Sequence, residues 1–278
     1  MSEEIIEGYR VVNTIAMGQN SQVLEVVEVA SHRHFAMKIL LPQKEKDAAA
    51  RRMLFYEAAV GLALTHPNVI KIHAVGKKEP FFTMEFFPAG SLKFRIMRKQ
   101  MDYVKENAIS ILKQSATAFA YMNMSGWVHR DIKPENMLIN SSGELKIIDF
   151  ALAQKMESDS FFSRLLRFKR RFVQGTRSYM SPEQIRGDPL DARSDVYNYG
   201  ITCYEMVTGR PPFRAASQRE LLSKHLFEVP ASPKFLNLEV TDDFDKLVMR
   251  MLAKKREARP QNFHEILKIV NTIQVFKK

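Results

Sequence analysis

The chain has 278 residues, of which 45% are hydrophobic and 26% are charged, a composition typical of a folded globular protein. A single cysteine, Cys203, excludes a disulfide framework and a cysteine metal site. No apolar run approaches the roughly 18–20 residues that a membrane-spanning helix needs, so we expect no transmembrane segment. The acidic N-terminus also lacks the apolar stretch of a secretory signal, so we expect a cytoplasmic protein.

The net charge of +11 favours polyanionic partners, but it does not choose between nucleotide phosphates, acidic proteins, nucleic acid and anionic membranes. Part of the excess lies in RLLRFKRRF, residues 164–172, which has five basic residues and no acidic one. A solvated basic surface is the simplest interpretation of such a run.

Strands dominate the first part of the chain. Turn-prone residues separate β-rich runs, and one Ala-rich, charged segment, residues 44–64, has a helical pattern that ends at His66–Asn68. The predicted strands lie in the runs 9–16, 22–30, 34–41, 69–76 and 80–87.

From Ser91 onward the pattern is mostly helical, and Pro, Gly and Ser cluster at residues 88–91. The predicted helices are 104–124, 195–208, 217–228, 241–253 and 261–275, with a short strand-rich patch at 127–148. We therefore predict an α+β protein with a small β-rich lobe, residues 1–87, that carries one helix, and a larger α-helical lobe, residues 88–278.

The residues that carry chemistry lie in the segment VHRDIKPENMLIN and just after it. Asp131 precedes Asn136 by five residues, and Asp149 follows thirteen residues later at the end of a predicted strand. Phosphoryl transfer from a nucleotide needs a carboxylate to orient the attacking hydroxyl, and a carboxylate and an amide oxygen to hold Mg²⁺. An Asp–Asn pair alone is more often turn chemistry, but the full string is far more specific.

Together these motifs resemble the eukaryotic-type Ser/Thr protein kinases over residues 9–273. HRDIKPEN (His129–Asn136) is similar to their catalytic loop, with Lys133 at the position typical of Ser/Thr kinases. Further similarities are AMK at residues 36–38, DFA at 149–151 in place of DFG, SPE at 181–183, SDVYNYG at 194–200 and the late pair Arg259–Pro260. The resemblance implies that Arg259 forms a buried ion pair with Glu183, the glutamate of SPE.

The resemblance implies a nucleotide site. Lys38 would hold the α- and β-phosphates and pair with Glu57, while Asn136 and Asp149 would bind Mg²⁺. Without the resemblance, Lys38 could be a surface strand lysine and Glu57 a solvated helix residue, although the apolar flanks of Lys38 argue against the first. Residues around the nucleotide would be Ile15, Ala16, Gly18, Val23, Ala36, Met84, Glu85, Phe87 and Leu138, for which simple core packing is the competing explanation.

Three positions depart from the family pattern. Ala16 and Ser21 replace two of the three loop glycines while Gly18 is retained, which predicts weakened nucleotide binding. Gly61, four residues after Glu57, is expected to leave a gap beside Phe150 and to weaken the helix. Ala151 replaces the glycine of DFG, a change that we expect to affect backbone switching and to leave the carboxylate of Asp149 in place.

The leading hypothesis is therefore an ATP-dependent kinase that phosphorylates Ser or Thr of protein substrates, with Mg²⁺ or alternatively Mn²⁺. A pseudokinase that serves as an interaction scaffold is the alternative, and a small-molecule kinase is disfavoured by SPE and GTRSYM, which resemble a protein-substrate platform. Thr176 would help to set the preference for hydroxyl substrates. We expect protein and ATP as partners and no nucleic acid, and we expect no sensor region after the last predicted helix.

The segment before Thr176 carries a helical pattern of its own. Phe161, Leu165, Phe168 and Phe172 recur on one face of a predicted amphipathic helix, which packs on its own lobe or forms a docking site for a partner at residues 161–172. Arg130, directly before Asp131, suggests control by phosphate on this segment. The candidate acceptors are Ser158, Ser160, Ser163 and Thr176.

Overall fold

The computed structural model describes residues 4–156 and 176–277 of the chain. They group into two compact units: the first extends to Ala89 and also contains Ile148–Ala151, and the second contains Gly90–Ile147 and the residues from Leu152 onward. The predicted boundary at residue 88 did not include the later segment Ile148–Ala151 in the first unit. The combination of a β-sheet unit and a helical unit makes this an α+β protein, as predicted.

The first unit is built on an antiparallel sheet. Its strands are β1 (Ile5–Ile6), β2 (Tyr9–Met17), β3 (Ser21–Glu28), β4 (His34–Leu40), β5 (Ile72–Val75) and β6 (Phe81–Glu85). They lie in the order β1-β2-β3-β4-β6-β5. Alternate apolar residues of β3 and β4, with Phe81, form a buried core, since successive side chains of a strand point to opposite faces. All five predicted strand runs are confirmed, with bounds that differ by a few residues.

One helix, α1 (Ala48–Leu62), accompanies this sheet. Its first turn is capped by the carboxylate of Asp47, which accepts hydrogen bonds from the backbone N–H groups of Ala49 and Ala50. Because this cap satisfies donors that have no partner within the helix, the helix begins at residue 48 rather than at the predicted residue 44. The preceding residues Pro42–Lys44 form a 3-10 turn instead.

The second unit is mainly helical. Its helices are α2 (Leu92–Met97), α3 (Met101–Met124), α4 (Pro182–Arg186), α5 (Ala192–Thr208), α6 (Gln218–Phe227), α7 (Pro233–Leu236), α8 (Asp242–Met251) and α9 (Phe263–Val270). The five predicted helices are confirmed, although the last one ends at residue 270 and not 275. Across the described residues, no helix combines the length and the apolar character that crossing a membrane requires.

Short strands hold the predicted catalytic segment in place. They are β7 (Gly90–Ser91), β8 (Trp127–Val128), β9 (Met137–Ile139), β10 (Leu145–Ile147) and β11 (Gln154–Lys155). One sheet has the order β10-β9-β7, and β11 pairs with β8. Residues 129–136 therefore form a loop with a strand at each end, which restricts its conformation.

Residues 157–175 lie outside the part of the chain that the structure describes. The predicted amphipathic helix and docking site at 161–172 fall in this range, and so do the candidate phosphoacceptors Ser158, Ser160 and Ser163. These expectations stay predictions.

A buried ion pair ties α4 to the end of the second unit, as the sequence predicted. Arg259 is fully buried and donates to both carboxylate oxygens of Glu183, over 2.7 and 3.1 Å. Its guanidinium also donates to the carbonyl oxygens of Ala253, Arg193 and Lys254. The pair therefore fixes the segment that begins at Ser181 to three parts of the unit at once.

Arg259→Ala should lower the free energy of unfolding by about 3–5 kcal/mol, because it leaves the buried carboxylate of Glu183 unpaired. The matched control is Arg250→Ala, which removes a half-exposed pair with Glu265 and should cost at most about 1 kcal/mol. Urea denaturation measures both. Equal midpoints for Arg259→Ala and the wild-type protein would contradict the importance of the pair.

Candidate active site

Lys38 and Glu57 form the predicted ion pair in the first unit. Lys38 lies on β4 between buried neighbours, and Glu57 lies on the buried face of α1. The Nζ atom of Lys38 donates to both carboxylate oxygens of Glu57, over 2.8 and 2.7 Å. Lys38 is thus a partly buried strand lysine with a fixed partner, which excludes the surface-lysine alternative.

Asp149 adds a second carboxylate to this charge cluster. Burial lowers the pKa of Lys38, but the nearby carboxylates of Glu57 and Asp149 outweigh this effect and raise the pKa above its usual value. Burial raises the pKa of Glu57 to about 7, with Lys38 opposing and Asp149 adding to the shift. Lys38 therefore stays protonated beside two acidic side chains.

The Asp149–Ala151 segment shows which residue carries the backbone strain. Asp149 has a left-handed φ of 67°, a conformation that costs a non-glycine residue roughly 1 kcal/mol. Ala151 is not among the residues with positive φ, and its N–H group donates to the carboxylate of Asp149 over 3.3 Å. Alanine in place of glycine therefore imposes no left-handed strain in this conformation.

The expected gap at Gly61 is absent, so that prediction is wrong. A Cβ atom at this position would overlap Cγ1 of Ile72 and lie 3.3 Å from Cδ2 of Phe150. Both neighbours are buried side chains of the same unit. Ile72 and Phe150 fill the space that a larger helix residue would take, so the contact between α1 and Phe150 exists without a side chain at residue 61.

The loop between β2 and β3 corresponds to the predicted phosphate loop. The N–H group of Gly18 donates to the carbonyl oxygen of Ser21 over 2.8 Å, which closes a tight turn. A side chain at residue 18 would lie only 3.2 Å from this oxygen. Ile15 and Ala16 lie on β2, where Ala16 is opposite Val23 of β3.

The remaining predicted nucleotide contacts are found on neighbouring strands. Val23 is opposite Lys38, and Ala36 is opposite Met84 of β6, so these four side chains lie close in one sheet. Glu85 ends β6, and Phe87 follows it, partly buried. Leu138 belongs to the second unit, where it lies on β9 between Ser91 and Lys146.

Asp131 is the centre of a hydrogen-bonded network in the second unit. Asp131 is 7% exposed, and its carboxylate contacts the Nζ atom of Lys133 and accepts from the N–H group of Thr176 over 3.1 Å. Lys133 also donates to the hydroxyl oxygen of Thr176 over 2.8 Å. The Nδ2 group of Asn136 donates to the Asp131 carbonyl over 2.9 Å. Three of the predicted residues therefore lie around one carboxylate.

This network decides the charge of Asp131. Burial alone raises the pKa of Asp131, but the Lys133 ammonium and the Thr176 N–H group outweigh it and hold the pKa below its usual value. Asp131 is therefore ionised at neutral pH. An ionised, nearly buried carboxylate is suited to accept a proton from a hydroxyl group.

Asp195 holds the loop of residues 129–136, a role that the sequence analysis did not assign. Its fully buried carboxylate accepts from the N–H groups of His129 and Arg130 over 2.8 and 2.9 Å, and from Asn123. Arg130 has a left-handed φ of 69°, which needs such support. Gln184 of α4 donates to the Arg130 carbonyl over 2.7 Å. A charged residue at the start of an otherwise apolar helix was the signal available in SDVYNYG.

Comparison with known proteins agrees with this geometry. The family model described as protein kinase domain matches residues 9–270. Serine/threonine-protein kinase PknB of Mycobacterium leprae is 30% identical over 264 residues, covering 93% of this chain and 42% of that protein. The PknB kinase of Mycobacterium tuberculosis strain H37Rv is 31% identical over 265 residues, with coverage of 93% and 41%. The chain thus spans about two fifths of the length of these relatives.

Gly61→Ala tests the packing around α1. Alanine normally stabilises a helix interior by about 0.5–1 kcal/mol, and the exposed control Ala59→Gly should lose that amount. At residue 61 the new methyl group overlaps Ile72, so we expect a net loss of about 1–2 kcal/mol. In an Ile72→Ala background the same change should become stabilising. Urea denaturation of the wild type, the two single variants at residues 61 and 72 and the double variant measures the coupling. Equal effects of Gly61→Ala in both backgrounds would contradict the overlap with Ile72.

Proposed function

Because the chain belongs to the protein kinase domain family, we propose that it transfers the γ-phosphate of ATP to serine and threonine hydroxyls of proteins. The observation that carries this proposal is the network of Asp131, Lys133 and Thr176. In this network the ammonium group of Lys133 lies in direct contact with the carboxylate of Asp131 and with the hydroxyl group of Thr176.

Asp131 is the proposed base. Its ionised carboxylate orients the attacking hydroxyl of the substrate and accepts the proton. Lys133, in contact with Asp131, supplies positive charge near the developing phosphoryl charge. Thr176 holds both groups through its N–H and hydroxyl, so it positions the base and does not itself react.

Asn136 and Asp149 are the proposed ligands of Mg²⁺. The amide nitrogen of Asn136 is committed to the Asp131 carbonyl, so the amide oxygen is the atom suited to a cation. Asp149 contributes a carboxylate, and oxygen ligands of these two kinds are what Mg²⁺ prefers. When bound, the metal would neutralise charge on the phosphates. Mn²⁺, which accepts the same ligand types, is the alternative ion.

Lys38 is the proposed partner of the α- and β-phosphates, held in position by Glu57. Val23, Ala36 and Leu138 would contact the adenine ring, Met84 would limit the depth of its site, and the backbone of Glu85–Phe87 would bind its edge. Ile15, Ala16 and Gly18 would cover the phosphates. Each of these roles is a proposal from the family resemblance.

A pseudokinase with weak or no transfer is the second candidate, and two features of the β2–β3 loop favour it. The Gly18 N–H group, the donor expected nearest the phosphates, is already bonded to Ser21 within the loop. Ala16 and Ser21 also replace glycines that would let the backbone approach phosphates closely. Both features predict weaker ATP binding, and they leave the charged groups intact.

Asp131→Asn should lower kcat by a factor of about 10²–10⁴, because the amide cannot accept the proton. Lys38→Met should lower transfer by about 10²-fold or more through lost charge stabilisation. The matched control is Lys71→Met, which removes an exposed lysine just before β5. Transfer of labelled γ-phosphate from ATP to a serine-containing peptide measures all three. An unchanged rate for Lys38→Met would contradict the nucleotide-site assignment.

Asp149→Ala and Ala151→Gly should differ in kind. The first removes the proposed metal ligand and should lose nearly all transfer. The second relaxes a residue that carries no left-handed strain, so its rate should change by at most about fivefold. Both are assayed at saturating ATP, so that weak binding is not mistaken for lost chemistry. If the wild-type protein is inert and Ala151→Gly restores transfer by orders of magnitude, our interpretation of Ala151 is wrong.

Three expectations from the sequence remain proposals. They are the cytoplasmic location, the docking role of residues 161–172 and phosphorylation within the segment before Thr176. Mass spectrometry of the protein after incubation with ATP tests the last of them.

A further inference from the structure

A surface groove of about 520 Å³ runs along α6 in the second unit. Its walls come from two parts of the chain, the helix itself and the start of the 3-10 helix Arg177–Tyr179. The lining residues are Arg177, Gln218, Arg219, Leu222, Ser223, Leu226 and Phe227. The groove has no role in the transfer chemistry described above.

The groove is positively charged. Arg177 and Arg219 are both exposed, and the lining contains no acidic residue. Within residues 4–156 and 176–277, neither arginine forms an ion pair, whereas the acidic residues of the neighbouring turns, Glu220 and Glu228, both lie near Lys224. No carboxylate of the groove lining therefore balances the charge of these two guanidinium groups.

An apolar strip lies beside these charges. Leu222 and Leu226 are one helical turn apart and only partly buried, and Phe227 is 73% exposed. Exposed apolar side chains that line a groove mark an interaction surface more often than scattered ones do. The groove thus offers apolar contact and positive charge side by side.

Buried contacts hold the two walls together. His225 of α6 is buried, its Nδ1 atom lies 3.1 Å from the Tyr197 hydroxyl, and its ring contacts the backbone of Ser178. Burial and the charge of Lys254 lower the pKa of His225 to about 3, so the ring is neutral at physiological pH. On the same turn, the Tyr179 hydroxyl donates to Glu205 over 2.5 Å. The groove is therefore preformed.

The groove begins one residue from the proposed reaction centre. Thr176 contacts Lys133 and Asp131, and Arg177 follows it directly. A peptide whose hydroxyl group reaches Asp131 therefore has its flanking residues within range of the groove. This places the charges of Arg177 and Arg219 where they can select among substrates.

We infer that this groove binds a substrate segment in which acidic residues stand next to an apolar one, on one side of the phosphorylated serine or threonine. The inference rests on the proposed phosphotransfer and names the class of protein substrate. The occupant is a substrate protein for two reasons. The positive charge and the apolar strip of the groove match a chain that is acidic and apolar, and the groove adjoins Thr176. Arg177 and Arg219 are specificity-determining residues.

Three kinds of peptide, each with a single serine, test the inference. The two positions beside a leucine are both Glu, both Gln or both Lys, and the sequences are otherwise the same. Each kind is made with these positions before the serine and with them after it. The Glu peptide should show a kcat/KM roughly five- to tenfold above the Gln peptide, through a lower KM at similar kcat. The difference should shrink at about 0.5 M salt, because exposed charges are screened.

Arg219→Glu and Arg177→Glu should abolish or reverse this preference, and Phe227→Ala should raise the KM of every peptide that carries the leucine. Lys113→Glu, an exposed change on α3 outside the groove, should preserve the preference. Unfolding midpoints confirm that each variant is folded. If the wild-type protein has equal KM values for the three kinds of peptide, the inference is overturned and phosphotransfer remains. No transfer to any peptide or to the protein itself removes the proposed function, and this inference with it.

Discussion

A fully buried carboxylate, Asp195, sets the backbone on which the second unit presents its charged groups. Burying an ionised group is costly unless hydrogen bonds satisfy it, and Asp195 takes them from the N–H groups of His129 and Arg130. Those bonds hold Arg130 in a left-handed conformation that it would otherwise leave. The direction in which the next residue, Asp131, enters the network therefore depends on the start of α5.

The same helix connects the other functional parts of this unit. Asn198 of α5 donates to Gln184, which in turn donates to the Arg130 carbonyl, so α4 and the loop of residues 129–136 share one buried network. Glu205, further along, accepts from the Tyr179 hydroxyl. Networks of this kind keep polar groups satisfied in only one arrangement, which gives the loop, α4 and the groove on α6 fixed positions.

In the first unit, two carboxylates share one ammonium group, and a glycine permits the close packing of α1. Lys38 and Glu57 are held by each other, and Asp149 competes for the same ammonium group. Gly61 lets α1 approach Ile72 and Phe150 closely, at the cost of helix propensity. The left-handed residue is Asp149 and not Ala151, so the variant DFA motif retains its carboxylate without added strain at the alanine.

The amino-acid sequence by itself determined the strands, the long helices and the identity of the charged residues. The spacing of apolar residues indicates which face of a strand or helix is buried, so these elements can be predicted locally. The charged residues of motifs such as HRDIKPEN lie only a few positions apart, so they can be recognised from the sequence. The pairs Lys38–Glu57 and Glu183–Arg259 were predicted from motifs that resemble those of the family, and the structure contains both. The helices α2, α4 and α7 are too short to show a period, so only the structure revealed them.

Only the tertiary structure decided what surrounds each residue. The gap expected at Gly61 is filled by Ile72 and Phe150, which both lie beyond the end of α1 in the sequence, so the pattern of the helix could not predict the contact. The role of Asp195 depends on two N–H groups more than sixty residues away along the chain. The conformation of Ala151 depends on how Asp149 is held. Sequence patterns reflect the environment averaged over a helix or strand, whereas these outcomes depend on which atoms meet, and that is decided when the whole chain packs.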